Sequence, residues 1–505
     1  MHFFSFLLAT VLYKAAFILA WSNSYKHVAV FSIDGFHSSD VGKYVTLRPK
    51  STLAQLLETG YEYTNAYTSA PSDSFPGAMA QFTGASPKTT SVWYDDIWYR
   101  DYFPPFSVNG THCQGPPGAE GQSFCPRECS FPAYILTKEV VADTEVLDYN
   151  STKLFSGGIN PDNLPQKIVD GKCQEIYPHS RLRVNTIFEV VEASGKQTAY
   201  TDKHPAYDIV RGPSGKGLTV GYFPEINAVP TEVNTTIAYD KLHVDAFLDW
   251  IDGKTPANSE LQGHGLTTTP TLFGGNFQAV SVAQKTAGYT NGTVQNFTPP
   301  LIEAIDFVDD SLGKVVSALK AKNIYDETLI IIASKHGQAP INPALYRKID
   351  DALIAPATGV NVTWITADDI ALIFLEDQFT VNTAVANLQK ATSKLQIQDI
   401  IYGTRLQAMG FGNPLTDPAV PDIIVRVDLG VIYTTSTAKI EEHGGLSDDD
   451  RHVACIVSNP GLHKTVFDQN TSTRQVGPTV LKVLGLNPAD LQGASIERSQ
   501  VLEGF

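Results

Sequence analysis

The chain has 505 residues and a formal net charge of -16, with 37 Lys and Arg against 53 Asp and Glu. This length is enough for one large α/β domain or two ordinary domains. The negative charge and the lack of a basic run exclude a nucleic-acid polymer as partner, because Lys and Arg are needed to neutralise phosphates.

The N-terminal segment MHFFSFLLATVLYKAAFILAWS is almost continuously apolar. It predicts a secretory signal over residues 1–21. A retained signal anchor is the alternative, because the run approaches the length that spans a bilayer. We therefore expect a secreted or secretory-pathway protein that meets a membrane only if this segment is retained. Asn-x-Ser/Thr sequons favour the same route and begin at Asn109, Asn150, Asn234, Asn291, Asn296, Asn361 and Asn470.

Strand-like apolar runs alternate with helical segments along most of the chain. Predicted strands are HVAVFSIDG (27–35), TLIIIAS (328–334), DIALIFL (369–375), DIIVRVD (422–428) and HVACIVS (452–458). Predicted helices are STLAQLLETG (51–60), LIEAIDFVDDSLGKVVSALKAKNI (301–324) and VGPTVLKVLGL (476–486), and residues 182–202 predict a helix, a Gly stop and a strand. The alternation predicts a three-layer α/β/α domain over residues 22–505, with a mostly parallel central sheet.

Residues 103–175 interrupt this alternation with Pro, Gly and four cysteines. We predict an excursion from the core, a disulfide-bearing insertion tied by two bridges whose pairing the sequence leaves open. A zinc site is the alternative use of these cysteines. The cysteines of the insertion are Cys113, Cys125, Cys129 and Cys173. Cys455 lies in an apolar run and is predicted to be a buried thiol.

Four polar motifs carry the candidate chemistry. FSIDGF places Asp34 at a strand end, and PSDSFPG places Ser74 at a helix start, beside free N–H groups and the positive end of the helix dipole. SKHGQ and EEHGG supply His336 and His443. These ligand types suit Zn²⁺ or a similar divalent cation, which would stabilise a serine alkoxide and polarise a phosphoryl oxygen. Each motif alone is more often a turn, an N-cap or a loop.

Taken in this order, FSIDGF, SDSFPG…FTG, TLIIIASKHG and EHGGLSDDDRHVACIVSNPG resemble the type I phosphodiesterase/nucleotide pyrophosphatase family of the alkaline phosphatase superfamily. The resemblance covers most of the mature chain and implies an alkaline phosphatase-like fold. It implies that Asp34, His336 and His443 bind one or two divalent ions, Zn²⁺ first. It also implies that Ser74, in place of the family's usual threonine, is the nucleophile. Asp95 falls where the family has a phosphate-contacting Asn.

The chain departs from the family pattern at two places. Lys335 stands where the family has the Asp of Asp-His-Gly, and the family's Asp and His four residues apart are missing. The corresponding segment TLFGGNFQAVSVAQKTAG offers only Asn276, Gln278, Ser281 and Gln284. We expect Lys335 to pair with Asp34 and to contact a substrate anion, in the electrostatic role of a missing cation. Alternatives are a solvent-facing lysine and a base toward Ser74.

Other polar side chains are weaker candidates. Asp202 and His204 follow a predicted strand and are possible site residues, although His204 before a proline also suits a residue that orders a loop. His243 and Asp245 are expected on the surface of an amphipathic helix. Asp448, Asp449 and Asp450 are expected to form a solvated acidic turn, and the alternative is that one of them orients His443.

We therefore predict a secreted metal-dependent hydrolase of small-molecule or lipid-like phosphate esters, of the phosphodiesterase/pyrophosphatase type, with a serine nucleophile. The predicted catalytic residues are Ser74, Lys335 and Asp95, and the resemblance includes nucleotides among the substrates. Two alternatives stay open. One is a divergent member with one metal or none that carries out other hydrolase or lyase chemistry, and the other is a non-catalytic secreted glycoprotein.

Overall fold

The computed structural model describes residues 25–95, 98–114, 159, 161–226 and 232–505. The predicted signal at 1–21, Cys125, Cys129 and the sequon at Asn150 lie outside these ranges. Within the ranges, no helix combines the length and the apolar character that a membrane span requires.

A nine-stranded sheet forms the centre of the molecule. Its strands in chain order are β1 (His27–Ile33), β2 (Gly60–Tyr63), β3 (Thr198–Thr201), β4 (Val220–Tyr222), β5 (Glu260–Leu261), β6 (Leu272–Phe277), β7 (Thr328–Ala333), β8 (Cys455–Ser458) and β9 (Thr465–Phe467). The spatial order is β9-β2-β8-β7-β1-β6-β3-β4-β5. Strands β7, β1, β6, β3 and β4 are mutually parallel, whereas β8 and β5 run antiparallel to their neighbours. The predicted mostly parallel sheet is confirmed.

Helices cover both faces of this sheet. The longer ones in the described ranges are α1 (Ser38–Leu47), α2 (Thr52–Glu58), α3 (Ser74–Thr83), α4 (Ile187–Ala193), α5 (Val233–Ile251), α6 (Ala279–Thr286), α7 (Pro299–Ala321), α8 (Val381–Lys390) and α9 (Val476–Val483). Shorter helices are Pro87–Thr90, Phe106–Asn109, Ile354–Thr358, Thr392–Leu395, Thr404–Ala408, Asp448–Arg451 and Gln492–Glu497. The predicted helices at 51–60, 301–324 and 476–486 are present as α2, α7 and α9.

Two apolar cores explain why the sheet is covered on both sides. Val28 and Val30 of β1 point into one core, which helices α3, α4 and α9 share. Ala29 and Phe31 of the same strand point into the other core, with helices α1, α2, α5, α6 and α7. Because successive side chains of a strand alternate between faces, a run apolar at every residue needs a helix layer on each side. The layers are therefore α/β/α.

Two of the predicted strands belong to a second sheet. DIALIFL and DIIVRVD were expected to extend the central sheet, but they lie in a separate four-stranded antiparallel sheet. Its strands in spatial order are Val362–Ala367, Ile370–Leu375, Ile423–Val427 and Ile397–Tyr402. This sheet packs with helix α8 around a third apolar core. Apolar runs of this length are compatible with either kind of sheet, because they carry no information about the neighbouring strand.

Three short strand pairs lie outside the two larger sheets in the described ranges. They are Ala66–Tyr67 with Thr471–Ser472, Gln166–Val169 with Lys172–Glu175, and Arg347–Ile349 with Val431–Tyr433. In the region of the predicted excursion, Cys113 and Cys173 form a disulfide. One of the two predicted bridges is thus present, and Cys455 is a buried free thiol as predicted.

Candidate active site

Four adjacent parallel strands bring polar side chains to one edge of the central sheet. In spatial order, β7 is followed by Lys335, β1 by Asp34, β6 carries Asn276 near its end, and β3 is followed shortly by Lys203. Residues at the carboxyl ends of parallel strands meet at the same edge, which is where ligands bind in open α/β sheets. The predicted location of the site is therefore occupied by a cluster of charged and polar groups.

Asp34 is the centre of this cluster. Its Oδ2 lies 3.3 Å from Nζ of Lys203 and accepts a hydrogen bond of 3.0 Å from Nδ2 of Asn276. Its Oδ1 lies 3.4 Å from Nζ of Lys335. Burial by itself raises the pKa of Asp34, but the charges of Lys335 and Lys203 outweigh burial and hold that pKa well below its usual value. Asp34 is therefore a carboxylate held between two ammonium groups.

Ser74 is the first residue of α3 and is buried. The N-cap of this helix is Asp73, whose carboxylate accepts a hydrogen bond of 3.0 Å from the N–H of Phe75. The Ser74 hydroxyl is therefore not used as a cap, which was the structural alternative for this residue. Nζ of Lys203 donates a hydrogen bond of 3.2 Å to Oγ of Ser74. The same ammonium group thus contacts both the hydroxyl and Asp34.

Lys335 is 0 % exposed, so the alternative of a solvent-facing lysine is wrong. Its Nζ donates hydrogen bonds of 3.2 Å to both carboxylate oxygens of Asp202 and one of 3.0 Å to the hydroxyl of Tyr207. The predicted pairing with Asp34 is present. Lys203, and not Lys335, is the lysine in contact with Ser74, which argues against Lys335 as the base toward that hydroxyl.

Asp202 belongs to the site, as its location after a strand suggested. Besides Lys335, the hydroxyl of Tyr200 donates to it over 2.9 Å. Burial outweighs the attraction of Lys335 and raises the pKa of Asp202. His204 instead pairs with Glu225, with 2.7 Å between Nδ1 and Oε1. This pair links the segment after β3 to the segment after β4.

His336 and His443 come together as expected, with ring centroids 3.9 Å apart. Nδ1 of His336 contacts the carbonyl oxygen of Gly337 at 2.8 Å, and its Nε2 lies 3.8 Å from Oδ2 of Asp34. Nδ1 of His443 contacts Oε2 of Glu442 at 2.8 Å. Burial lowers the pKa of both imidazoles, so both rings are neutral near neutral pH.

Asp73 and Asp95 form the acidic side of the pocket. Burial first, and then the charge of Asp95, raises the pKa of Asp73 well above its usual value. Oδ2 of Asp73 faces Nε2 of His443 at 3.5 Å. Asp95 is half-buried and close enough to influence Asp73, the neighbour of Ser74. The predicted catalytic residue Asp95 therefore lies beside the site.

Among the other polar residues, one expectation is wrong and another is met only in part. His243 is not at the surface: it is buried under β6, with Nδ1 2.8 Å from the carbonyl oxygen of Asn276. The acidic turn is only partly solvated, because Asp450 is buried and accepts hydrogen bonds from Ser447. Glu442, and not a residue of this turn, contacts Nδ1 of His443 and orients its ring. The charge of Glu442 is balanced by Lys285 and Lys439. Asp245 is exposed, as predicted.

The donor set does not fit the two-metal centre that the resemblance implies. In the described ranges, no group of three or more His, Cys, Asp or Glu side chains converges as ligands of a metal ion. Asp34, His336 and His443 lie together, but the carboxylate oxygens of Asp34 already face Lys203, Lys335 and Asn276. Nε2 of His336 and Oδ2 of Asp73 are buried without a hydrogen-bond partner among the described residues, and Oδ1 of Asp34 faces only the ammonium group of Lys335 at 3.4 Å. These atoms do not converge as a set of three ligands, and typical zinc sites have three or four protein ligands.

A comparison with known proteins decides the family. The sequence profile of the type I phosphodiesterase/nucleotide pyrophosphatase family matches residues 28–448. The chain belongs to this family. It is accordingly a hydrolase of the phosphate-ester type, related to phosphodiesterases and nucleotide pyrophosphatases. A search of curated protein sequences finds no match.

Solved structures of type I phosphodiesterase relatives share the fold. Murine ectonucleotide pyrophosphatase/phosphodiesterase 5 superposes with a TM-score of 0.57 at 14% sequence identity, covering 92% of this chain and 96% of that chain. An inactive variant of the murine protein in complex with AMP gives the same values. The human protein of the same name superposes with a TM-score of 0.56 at 13% identity, covering 92% of this chain and 95% of that chain.

Lys203 is a site residue that the sequence motifs did not predict. The available signal was its location two residues after the end of β3, at the same edge of the sheet as Asp34. The substituted segment after β6 is also in the site, because Nζ of Lys203 donates to Oε1 of Gln278 over 3.2 Å.

Proposed function

We propose that the chain hydrolyses phosphodiesters or pyrophosphates of nucleotide-like substrates, with Ser74 as the nucleophile. The observation that carries the proposal is the buried Ser74 hydroxyl at the start of α3, in contact with the ammonium group of Lys203. The positive end of the helix dipole and a neighbouring cation both favour a phosphate anion at this point. The family membership and the AMP complex of a related fold support a nucleotide-like ester.

The reaction would proceed in two balanced steps. Oγ of Ser74 forms a bond to phosphorus while the bond from phosphorus to the leaving oxygen breaks, and the serine proton ends on the leaving group, which is an alcohol for a diester and a phosphate for a pyrophosphate. Water then attacks the phosphoserine, restores the hydroxyl and releases the phosphate monoester. Lys203 contacts the oxygen that becomes negative in the first step and would stabilise that charge. Asp34 and Gln278 hold Lys203 in place.

The decisive variant is Ser74→Ala. We expect kcat toward the p-nitrophenyl ester of a nucleoside monophosphate to fall by at least about 10³-fold, because the covalent step is lost. Rapid acid quenching of the wild type followed by mass spectrometry should find the phosphoryl adduct on the peptide that contains Ser74.

Ser69→Ala is the matched control. Ser69 is also a buried serine, but its hydroxyl donates to the carbonyl oxygen of Pro71 and is not in the pocket. The Ser69→Ala variant should be as active as the wild type. A Ser74→Ala protein with wild-type activity would contradict the nucleophile assignment. A wild type that hydrolyses no phosphate ester, with or without added divalent ions, would contradict the function itself.

We also propose that the protein travels the secretory route. The sequon residues Asn234, Asn291, Asn296, Asn361 and Asn470 are all exposed. A bridge between Cys113 and Cys173 suits an oxidising compartment. Expressed from a secreting eukaryotic host with its N-terminal segment, the protein should lose mass on treatment with an endoglycosidase. Retention in the cytosol without glycans would contradict this proposal.

A further inference from the structure

We propose that the ammonium groups of Lys203 and Lys335 take the place of metal ions in this site, so that the hydrolase works without a bound metal. This inference rests on the proposed function, because it concerns how the same pocket stabilises the charges of that reaction. In metal-dependent hydrolases, the ion neutralises charge on a phosphoryl oxygen and stabilises the deprotonated form of the nucleophile. Both roles need positive charge held at a fixed place, which a buried ammonium group also provides.

The exchange of groups conserves charge. A divalent ion together with one carboxylate ligand brings one net positive charge, and a single ammonium group brings the same. The chain differs from the family pattern at the two corresponding points. Lys335 replaces a carboxylate beside Asp34, and Lys203 contacts Gln278 in the segment that lacks the second carboxylate. At each of these two places, a negatively charged ligand is absent and the ammonium group of a lysine is present.

The two lysines occupy different places around Asp34. Lys335 lies on the Oδ1 side, enclosed by Asp34, Asp202 and the hydroxyl of Tyr207, with its Nζ 4.5 Å from the centre of the Tyr207 ring. Lys203 lies on the Oδ2 side, between Asp34 and Ser74. A metal ion bound by Asp34 would have to displace at least one of these ammonium groups, because a ligand oxygen lies about 2.0–2.2 Å from zinc.

Exposure assigns a separate role to each lysine. Lys203 is 9 % exposed and contacts Ser74, so a phosphate ester that reaches the serine also reaches this ammonium group. Lys335 is fully buried. Lys203 is therefore the catalytic lysine, whereas Lys335 is a positioning residue that fixes Asp34 and Asp202. Asp34 in turn holds Lys203 against Ser74.

A purely structural role explains this cluster less well. Two carboxylates and two ammonium groups are buried together, namely Asp34, Asp202, Lys203 and Lys335. Such networks add little stability over apolar side chains of similar size, because desolvation offsets the attraction between the charges. Stability therefore does not account for four charges at the carboxyl edge of the sheet. The contact of Lys203 with the hydroxyl of Ser74 gives the cluster a role in the proposed reaction.

The first test measures zinc binding, which needs no substrate. Isothermal titration with Zn²⁺ should give the same stoichiometry for the full-length wild type and for His336→Ala, because only sites outside the pocket bind. After dialysis against metal-free buffer, elemental analysis of the wild type should find less than about 0.1 divalent ion per chain. A stoichiometric ion in the wild type that His336→Ala loses would overturn the inference.

The reverse substitution, from lysine to carboxylate, should create zinc binding and so gives the test a positive outcome. Lys335→Asp restores a carboxylate beside Asp34 and His336, and we expect this variant to gain a Zn²⁺ site that the double variant Lys335→Asp/His336→Ala lacks. A Lys335→Asp protein that folds and gains no site would count against the charge exchange. If Lys335→Asp does not fold, the comparison of the wild type with His336→Ala decides alone.

The second test measures hydrolysis. The rate of the wild type should change by less than about twofold when EDTA is added. Lys203→Met should lower kcat by about 10²–10³-fold, the usual loss for one group that stabilises a developing negative charge. Lys196→Met is the matched control: Lys196 is a half-buried lysine at the other end of β3, and its activity should be unchanged.

The two proposals fail in different ways. Hydrolysis that EDTA abolishes and Zn²⁺ restores would overturn the metal-free site and leave the proposed function intact. A wild type without hydrolysis in any condition would overturn the proposed function, and the zinc titration would still decide the metal question. Equal rates for Lys203→Met and Lys196→Met in an active enzyme would overturn the catalytic role of Lys203.

Discussion

Charge balance in the interior depends on single side chains. Asp34 holds two ammonium groups through its two oxygens, whereas Glu442 pairs with Lys285 over 2.7 Å and also with Lys439. Burial raises the pKa of Glu442, but the two lysines outweigh it and hold that pKa well below its usual value. Each carboxylate therefore stays charged where an isolated buried carboxyl group would take up a proton.

His243 shows the opposite situation and gives a pH prediction. Burial lowers the pKa of His243 to about 4. An unfolded histidine has a pKa of about 6.5, so between these two values the unfolded state binds more protons than the folded state. Stability must then fall as the pH falls through this window.

His243→Asn keeps a donor for the Asn276 carbonyl and does not titrate there. Its thermal midpoint should therefore fall less than that of the wild type between about pH 7 and about pH 4.5. Parallel curves would contradict the assignment.

At the scale of residues, the sequence predicted which residues belong to the site better than it predicted their burial and contacts. Asp34, Ser74, His336 and His443 were found because strand ends and a helix start can be read from local patterns. The burial of His243 and the contact between Lys203 and Ser74 depend on distant segments: His243 lies under β6, and Lys203 is 129 residues from Ser74. Local patterns carry no information about such pairs.

The elements position the site through close backbone contacts. Helix α3 begins with Ser74 and crosses the end of β7, where Nε2 of Gln81 donates to the carbonyl oxygens of Ala333 and Ser334 over 3.1 Å. Gly77, one turn after Ser74, packs against the Lys335 backbone. The helix and the strand end are thus fixed to each other, and with them Ser74 and Lys335.

Gly77→Ala tests this contact. A Cβ at residue 77 would lie 2.1 Å from the carbonyl oxygen of Lys335, so the helix must move away from β7. We expect the free energy of unfolding to fall by about 1–3 kcal/mol, as for other overpacked interiors, together with a loss of hydrolysis. Gly42→Ala is the control, because Gly42 is also helical and a Cβ there meets nothing within 4 Å. This control should gain up to about 1 kcal/mol of stability. Equal unfolding curves for the two variants would contradict the close contact.

Element types followed from the sequence, but their partners did not. The helix, Gly stop and strand predicted over residues 182–202 are present as α4 and β3. DIALIFL formed a strand and joined a different sheet, because an apolar run records burial and not the identity of the adjacent strand. The central sheet was predictable because helices separate most of its strands, and this spacing favours parallel crossovers.

At the scale of the whole molecule, a covalent link joins parts of the chain that are far apart in sequence. The disulfide between Cys113 and Cys173 spans 60 residues. Nearby, Oε1 of Gln166 accepts a hydrogen bond of 2.7 Å from the N–H of Cys113, and the backbone of Gln166 pairs with Phe103. The bridge therefore fastens Cys113 to the hairpin of Gln166–Val169 and Lys172–Glu175, within the same excursion from the core.

Removal of this bridge should lower stability. In the chain-entropy account, closing a loop of this length contributes about 4 kcal/mol, so Cys113→Ser/Cys173→Ser should unfold at a lower temperature than the wild type. A reducing agent should lower the midpoint of the wild type by a similar amount. Cys455→Ala is the control, because Cys455 is a buried free thiol, and this variant should keep its sensitivity to reduction. A thermal midpoint of the wild type that the reducing agent leaves unchanged would contradict the structural role of the bridge.

The second sheet is inserted in the chain between β7 and His443, and one of its faces packs on the same apolar core as helix α3. The chain leaves the central sheet soon after β7 and returns just before His443. The two segments are joined where the N–H of Ala339 donates to the carbonyl oxygen of Glu442 over 2.7 Å and the N–H of Glu442 donates to the carbonyl oxygen of Ala339 over 2.9 Å. His336 precedes this pair of hydrogen bonds and His443 follows it, so the pair holds the two imidazoles together independently of the loops of the second sheet. Those loops can therefore lengthen or shorten while the two imidazoles keep their spacing.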